Sequence, residues 1–223
     1  MLSFSEMAGF LPALLKGAWL TIEISVVSYV LAVILGLLIG VARISPFAPL
    51  RWLAAGYIQF LRGTPLLTQL FFIFYALPYA GVVLSPMLAS IIGLTLNYAA
   101  YMAEVFRGGI QAVPRGQVEA ARALGMRRGK MMRRIIIPQA LRLVVPPLGN
   151  FLVSIFKDSS LVSVITLKDL TFTGQILAAS TFKYFEIFAM VGIIYLMISY
   201  PAAKLVEWVE RKLDVTGGAG RGF

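Results

Sequence analysis

The feature that most restricts the fold of this chain is a run of 41 residues, 63–103, without a single charged side chain. A helix needs about 20 mostly apolar residues to cross a hydrocarbon core of about 30 Å, so the run fits parts of two crossings. Pro78, Gly81 and Pro86 predict the turn between them. Only 13% of the whole chain is charged, against about a quarter in soluble domains. The sequence therefore predicts an all-α membrane protein.

Five segments have the length and apolarity of transmembrane helices. We expect them at 17–42, from near Arg51 through Arg62 into the uncharged run, from about Pro86 to Arg107, at 136–157 and at 184–206. Segment 159–182 is interrupted by charged residues and a glycine, so we expect a re-entrant or interfacial piece there. Residues 1–223 then form one transmembrane domain, and 215–223 are expected to be a flexible tail.

The basic residues predict the direction of these spans. With the N-terminus outside and the C-terminus in the cytoplasm, segments 43–51, 107–142 and 204–223 are cytoplasmic and hold 15 of the 20 basic residues. Cytoplasmic loops are enriched in lysine and arginine, so this direction is expected. The net charge of +10 is then explained by loops beside membrane lipid, and no nucleic-acid partner is expected.

The basic loop at about 114–137 is predicted to contain two short helices. Glu119 is expected in the first turn of the first helix, where an acid suits the helix dipole. Gly125 suits the left-handed turn that ends a helix. A second helix is expected at 127–136, followed by Pro138 near the first turn of the fourth span.

A spaced motif occupies the same loop. It reads Glu119-Ala120-Ala121, three residues, Gly125, nine residues, Ile135, one residue, Ile137 and Pro138. We expect the small alanines to be exposed and to allow close approach of a partner. The motif resembles the cytoplasmic loop motif of ABC-importer permeases, Glu-Ala-Ala-x3-Gly-x9-Ile-x-Leu-Pro, with one isoleucine in place of leucine. Segments 62–65, 101–109 and 157–161 resemble the polar-amino-acid branch of that family, so the resemblance covers roughly 14–213.

This resemblance implies the permease subunit of an ATP-driven importer for polar or charged amino acids in a bacterial cytoplasmic (inner) membrane. It implies a second permease subunit, the same or a homologous chain, together with separate ATPase subunits and an extracytoplasmic amino-acid-binding protein. The loop would dock on an ATPase subunit through Glu119, Ala120, Ala121, Leu124 and Gly125. The ATPase would bind ATP and magnesium, so no cofactor, metal ligand or catalytic residue is expected in this chain.

Two opposite charges are predicted inside the membrane. From the helix rise, Arg62 and Glu104 each lie about 15 Å from the cytoplasmic edge. Such charges cost about 2.5–3.5 kcal/mol on insertion scales and are candidates for function. The alternative for Glu104 is an ion pair with Arg107 at the interface. For Arg62 the alternatives are snorkelling or binding the carbonyls freed at 63–65.

An amino acid is a zwitterion, so its site needs one charge of each sign. Lys157 and a helix N-terminus would attract the carboxylate, while Glu104 or Asp158 would bind the ammonium. The resemblance supports these three residues as lining the substrate cavity. A solvated helix cap at Asp158 or Ser159 is the alternative.

Two further polar residues share the helix face of Glu104. Asn97 and Tyr101 lie two turns and one turn before it, and ordinary packing between helices is the alternative for both. The substrate-binding candidates are therefore Glu104, Lys157, Asp158, Asn97, Tyr101, Arg62 and Ser160.

Two other kinds of function would use the same residues. A stand-alone ion-coupled secondary transporter or channel would use the intramembrane charges, but it leaves the two-helix loop unexplained, and five spans give no inverted repeat. An intramembrane enzyme would need serine or aspartate chemistry, because the chain has no cysteine or histidine. Ser159 and Ser160 have no evident base for such a reaction.

Overall fold

The computed structural model describes residues 4–213, with side chains from Gly9 onward, so the predicted tail at 215–223 lies outside it. Within that part of the chain the fold is helical and contains no strand. The α-helices are α1 (Phe4–Arg43), α2 (Ala48–Gly63), α3 (Leu66–Phe71), α4 (Pro86–Gln111), α5 (Arg115–Ala123), α6 (Arg128–Met131), α7 (Ile137–Asp158), α8 (Leu170–Thr181) and α9 (Tyr184–Lys212).

The prediction of several membrane spans is confirmed, with four or five candidate spans. Among the described residues, four helical runs are long and apolar enough to cross a membrane: Gly9–Arg43, Pro86–Gln111, Arg128–Ile165 and Tyr184–Lys212. A fifth crossing is present if the bent pair Ala48–Gly63 and Leu66–Ala80 is counted as one span. The segment after α7 forms a 3₁₀ turn, Ser159–Ile165, and the 12-residue helix α8, which is too short to cross a bilayer.

The second predicted span is broken rather than continuous. The helix axis bends by 104° between its two halves, and the chain between them is extended at Thr64 and Pro65. A residue before proline is sterically pushed out of the helical region, and proline has no N–H to continue the ladder. Arg62 consequently lies at the end of a helix, one residue before its last position, instead of inside a helix that continues.

The second helix of the loop also differs from the prediction. A separate helix at 127–136 was expected, but α6 continues through a π-helical turn, Met132–Ile136, directly into α7. Pro138 lies two residues beyond that turn and removes one N–H from the ladder. The side chain of Gln139 donates to the carbonyl of Ile135 at 3.0 Å in the same turn. One helical run of 38 residues, Arg128–Ile165, therefore connects the loop to the membrane interior.

The centre of the molecule is the close pair α1 and α4. Gly36 and Gly40 of α1 face α4, as expected for small residues at a helix interface. A Cβ placed on Gly40 would lie 2.8 Å from the carbonyl oxygen of Ala103, and one on Gly36 would lie 2.8 Å from Cβ of Met102. This approach fixes α4 as the central helix against which α2, α3 and α7 also pack.

Candidate functional site

Carbonyl groups freed at the α2–α3 break bind to a buried glutamine. The Nε2 amide of Gln69 donates to the carbonyl of Leu61 at 2.9 Å and to that of Thr64 at 3.1 Å. Its Oε1 accepts a hydrogen bond from Nδ2 of Asn97 on α4 at 3.1 Å. Gln69 is only 8% exposed, and its bonds satisfy backbone carbonyls that an apolar membrane interior would leave without a donor.

The break opens a cavity of about 490 Å³ between three parts of the chain. The end of α2 and the start of α3 form one side, α4 forms the second and the last two turns of α7 form the third. Its lining residues are Arg62, Gly63, Thr64, Pro65, Leu66, Asn97, Tyr98, Tyr101, Phe151, Ser154 and Asp158.

One charge of each sign lines this cavity. The guanidinium of Arg62 lies over the ring of Tyr101, 5.2 Å from its centroid, which is cation–π geometry. On the other side, the hydroxyl of Tyr98 donates to Oδ2 of Asp158 at 2.6 Å. Among the described residues these two charges form no ion pair with each other within 4 Å. Both are therefore held in place by aromatic neighbours and remain available to a ligand.

Four of the seven predicted substrate-binding residues line the cavity: Arg62, Asn97, Tyr101 and Asp158. Asn97 faces it with its amide bound to Gln69 and, at 3.5 Å, to the Leu61 carbonyl. Gln69, Tyr98 and Ser154 were not found by the sequence reasoning. Spacing relative to Tyr101 and Asp158 on the same helices could have pointed to Tyr98 and Ser154, but helix spacing alone does not define a face in a helix buried on most sides. Gln69 belongs to a different helix, α3, and no spacing signal connects it to the site.

Glu104 lies outside the cavity lining and is paired within its own helix. Arg107 donates to Oε2 of Glu104 through Nη2 at 2.6 Å and through Nε at 3.0 Å. Arg107 also binds the side chain of Gln111 at 2.6 Å. Glu104 is one turn beyond Tyr101, close enough for Arg62 to interact with it electrostatically. It is therefore a neighbour of the cavity whose charge is already paired.

Lys157 faces a second cavity of about 430 Å³ between α7 and α9, together with Glu207 and Glu210. Ser154 belongs to the lining of both cavities, so polar side chains connect them along α7. Ser160 lies in the 3₁₀ turn after α7, half-buried, and its carbonyl accepts the hydroxyl of Ser163 at 2.8 Å.

The loop ends α5 with a Schellman turn at Gly125. Its φ is +68°, a conformation that glycine adopts without strain. The N–H of Gly125 donates to the carbonyl of Arg122, and that of Met126 donates to the carbonyl of Ala121, which is the bonding pattern of this turn. The predicted left-handed conformation is thus present.

Two details of the loop prediction were wrong. Glu119 is the fifth residue of α5 and lies in the second turn, because the helix begins at Arg115 directly after the capping Pro114. Ala121 is only 2% exposed, since it packs with Val113, Met131 and Ile136 in a small apolar cluster. Glu119, Ala120 and the capping Leu124 are among the exposed residues here, and Leu124 is 81% exposed.

Comparison with known families identifies this arrangement. The family model for the binding-protein-dependent transport system inner membrane component matches residues 32–215. The chain belongs to this family. It is a multi-pass membrane protein and a permease subunit of an ABC importer; a stand-alone secondary transporter is not favoured. Within the described residues, no group of three or more carboxylates, histidines or cysteines could hold a metal ion.

Similar permeases match over nearly their whole length. A probable amino-acid ABC transporter permease of Sinorhizobium fredii is 40% identical, over 93% of this chain and 90% of that protein. The arginine transport system permease protein ArtQ of Bacillus subtilis is 38% identical, over 95% of this chain and 97% of that protein. A solved structure of an amino acid ABC transporter with histidines has a TM-score of 0.90 at 37% identity and covers 95% of this chain and 99% of its own.

Replacing Gln69 should destabilise the permease more than replacing an exposed glutamine. Gln69→Leu removes the donor to the Thr64 carbonyl and leaves the Leu61 carbonyl with only the long 3.5 Å bond from Asn97. It also removes the Oε1 acceptor of the Asn97 amide, and each unsatisfied buried group costs about 1–3 kcal/mol. Gln69→Glu keeps the shape but removes the N–H donors, so it should be destabilising too. We expect lower melting temperatures for both in detergent, while Gln175→Leu, at an exposed site on α8, should leave the melting temperature nearly unchanged. Equal melting temperatures for Gln69→Leu and Gln175→Leu would contradict this role.

Proposed function

We propose that the cavity at the α2–α3 break is this subunit's part of a binding site for a polar or charged amino acid during import. The observation that carries the proposal is the pair of opposite charges, Arg62 and Asp158, in the lining of one cavity. A zwitterionic substrate needs this combination. The names of the matched permeases, which are those of amino-acid and arginine transporters, support the substrate class.

In this site Arg62 binds the substrate carboxylate and Asp158 binds its ammonium. A guanidinium has a fork of donors that matches a carboxylate, and the Tyr101 ring holds it in place. Tyr98 occupies Oδ2 of Asp158, and no described residue donates to the other carboxylate oxygen. Asp158 can therefore accept an ammonium without losing its hydrogen bond to the protein.

Glu104, Lys157 and Ser160 are secondary candidates. A substrate ammonium at Glu104 would have to displace a guanidinium held through two hydrogen bonds, and charge-assisted bonds contribute about 1.5–3 kcal/mol each. Lys157 faces the adjoining cavity and would attract the carboxylate of a substrate that moves along α7. Ser160 lies one turn from the site, so its effect on binding should be smaller than that of Asp158.

Asp158→Asn should weaken the dependence of transport on substrate more than Glu104→Gln does. Removal of one charge-assisted contact corresponds to about a ten- to hundredfold loss of apparent affinity. The measurement is substrate-stimulated ATPase activity of the assembled transporter in lipid nanodiscs, at saturating binding protein, with a series of amino acids. ATPase activity without substrate should remain in both variants.

Comparison of the two variants identifies which carboxylate binds the substrate ammonium. If Glu104→Gln alone shifts the dose response, the primary contact is Glu104 and the Asp158 assignment is incorrect. If neither variant shifts it, neither carboxylate binds the ammonium and the cavity is not the substrate site.

The chain is proposed to lie in a bacterial cytoplasmic membrane with its N-terminus outside and its C-terminus inside. The basic loops and the family description as an inner membrane component support this direction and location. Two permease subunits would enclose the pathway between them, two ATPase subunits would bind ATP and magnesium below, and an extracytoplasmic amino-acid-binding protein would deliver substrate from above.

Cysteine labelling tests this orientation of the chain in the membrane. The native chain has no cysteine, so a single introduced cysteine gives a clean signal. Ser85→Cys, at the turn before α4, should react in intact cells with an impermeant thiol reagent, and Gly129→Cys in the loop should react only after the membrane is opened. The reverse pattern would place the loop outside and refute its proposed contact with an ATPase.

We further propose that α5 and the Gly125 turn dock on an ATPase subunit and transmit its movement. The exposed Leu124 and Ala120 offer an apolar contact surface, while the buried Ala121 anchors α5 to the base of the 38-residue helical run. That run carries Ser154 and Asp158 at its far end. Displacement of α5 would therefore move one wall of the cavity as a rigid body, which is a means of alternating access.

Substitutions at the turn should impair assembly with the ATPase without impairing insertion of the permease into the membrane. Gly125→Val forces a β-branched residue to a φ of +68° and should abolish co-purification of the ATPase and transport, whereas Gly116→Val on the exposed face of α5 should preserve both in large part. Leu124→Ser leaves the backbone intact and should weaken ATPase binding by about tenfold, since burial of a leucine side chain contributes about 1.5–3 kcal/mol. The amount of each of the three variants in the membrane should match that of the unsubstituted protein. Unchanged ATPase binding in Leu124→Ser would exclude α5 as the docking surface.

A further inference from the structure

An apolar groove runs along the end of α1, and none of its lining residues belongs to the lining of the substrate cavity. Its volume is about 740 Å³. Leu38 and Val41 of α1 form one wall, Leu50 of α2 closes one end, and Met132 and Ile137 of the long helical run form the other wall. The groove is concave and lies between three separate parts of the chain, unlike the flat outer faces of α9.

Two arginines border this groove at the end where α1 stops. Arg128 is part of its lining, and no described side chain forms an ion pair or hydrogen bond with its guanidinium. Arg51 donates through Nη1 to the carbonyl of Ser45 at 3.3 Å, and Ser45 also lines the groove. The rim therefore carries positive charge directly beside an apolar interior.

Negative charge is scarce around this rim. Segment 43–103 contains no acidic residue at all, and Glu119 is the single acid between residues 105 and 157. Glu104 is neutralised by Arg107. An anion at the rim would thus meet attraction from two guanidiniums without repulsion from a nearby carboxylate.

We propose that this groove binds an anionic phospholipid, with one acyl chain along Leu38 and Val41 and the phosphate at Arg128 and Arg51. Charge complementarity selects this occupant: a protein helix would fill the apolar part but leave the rim arginines unpaired, and a free phosphate would leave the apolar part exposed to water. Basic pockets between transmembrane helices are known to hold anionic lipid headgroups. A phospholipid with a negative headgroup satisfies both halves of the groove at once.

The position of the groove gives the lipid a defined effect. Arg128 begins the helical run that leads to Asp158, while Arg51 belongs to α2, which carries Arg62 in its last turn. A bound phosphate would therefore connect the starting points of two helices whose far ends form the substrate cavity. A lipid that binds only the folded state of the chain should raise the free energy of unfolding by mass action.

The test uses a fluorescent label on single-cysteine variants of the full chain in nanodiscs. The label is placed at Leu38→Cys in the groove or at Leu196→Cys on α9, which are 62% and 65% exposed. Phosphatidylglycerol or phosphatidylcholine with brominated acyl chains is then added as a minor component of phosphatidylcholine discs, and quenching is measured. Because both leaflets contain the brominated lipid, the result does not depend on the direction of the chain in the membrane.

We expect brominated phosphatidylglycerol to quench the groove label several-fold more than the α9 label, and brominated phosphatidylcholine to quench both equally. Arg128→Gln should reduce the apparent affinity for phosphatidylglycerol about fivefold, since one basic residue contributes about 1 kcal/mol. Arg133→Gln, an exposed basic residue outside the groove lining, is the matched control and should have little effect. Melting temperatures of the same variants, measured with and without phosphatidylglycerol, give a readout free of the label.

Four results would overturn the proposal. Equal quenching by the two brominated lipids would show an ordinary lipid-facing surface. Equal losses in Arg128→Gln and Arg133→Gln would show a diffuse attraction to the basic loop. Protection of the groove label from both lipids would show that a protein segment covers the groove. Competition of millimolar inorganic phosphate with phosphatidylglycerol would show a headgroup site without an acyl chain.

Discussion

The hydrogen bonds of Gln69 are the interaction on which the rest of this permease depends. A helix that breaks inside an apolar environment frees carbonyl groups, and each unsatisfied group there costs several kcal/mol. The Gln69 amide binds two of these carbonyls and is itself held by Asn97 of α4. The cost of the break is thereby reduced, and the 104° bend becomes a stable part of the fold.

The bend decides which charges face the substrate cavity. A straight second span would leave Arg62 on the side of a continuous helix, beside its own neighbours in the ladder. The break places it at a helix end, over the Tyr101 ring and in the lining of the same cavity as Asp158. Asp158 is in turn held by Tyr98, so α4 supplies the aromatic support for both charges. The central position of α4 follows from its glycine-mediated contact with α1.

Two prolines shape the helices in a similar manner. A π-helical turn follows α3 and another precedes α7, and they end two residues before Pro78 and Pro138 respectively. Proline removes one donor from the ladder, and a π turn is one way to shift the register of the remaining bonds. Near Pro78 the helix ends soon after, in a 3₁₀ turn and Gly81. At Pro138 it continues, because α7 is packed against α4 and α9, and this continuity links the loop to the cavity wall.

The sequence by itself determined the helical membrane class, the approximate positions of the spans and the left-handed turn at Gly125, because hydrophobic length, charge distribution and glycine conformation are local properties. The family also followed from a spaced local motif. Only the tertiary structure decided that Asp158 and Arg62 share a cavity while Glu104 binds Arg107, and that Ala121 is buried while Leu124 is exposed. These outcomes depend on which helices meet and where one of them bends, and the free energy of those contacts comes from residues distant in sequence, such as Gln69 and Asn97.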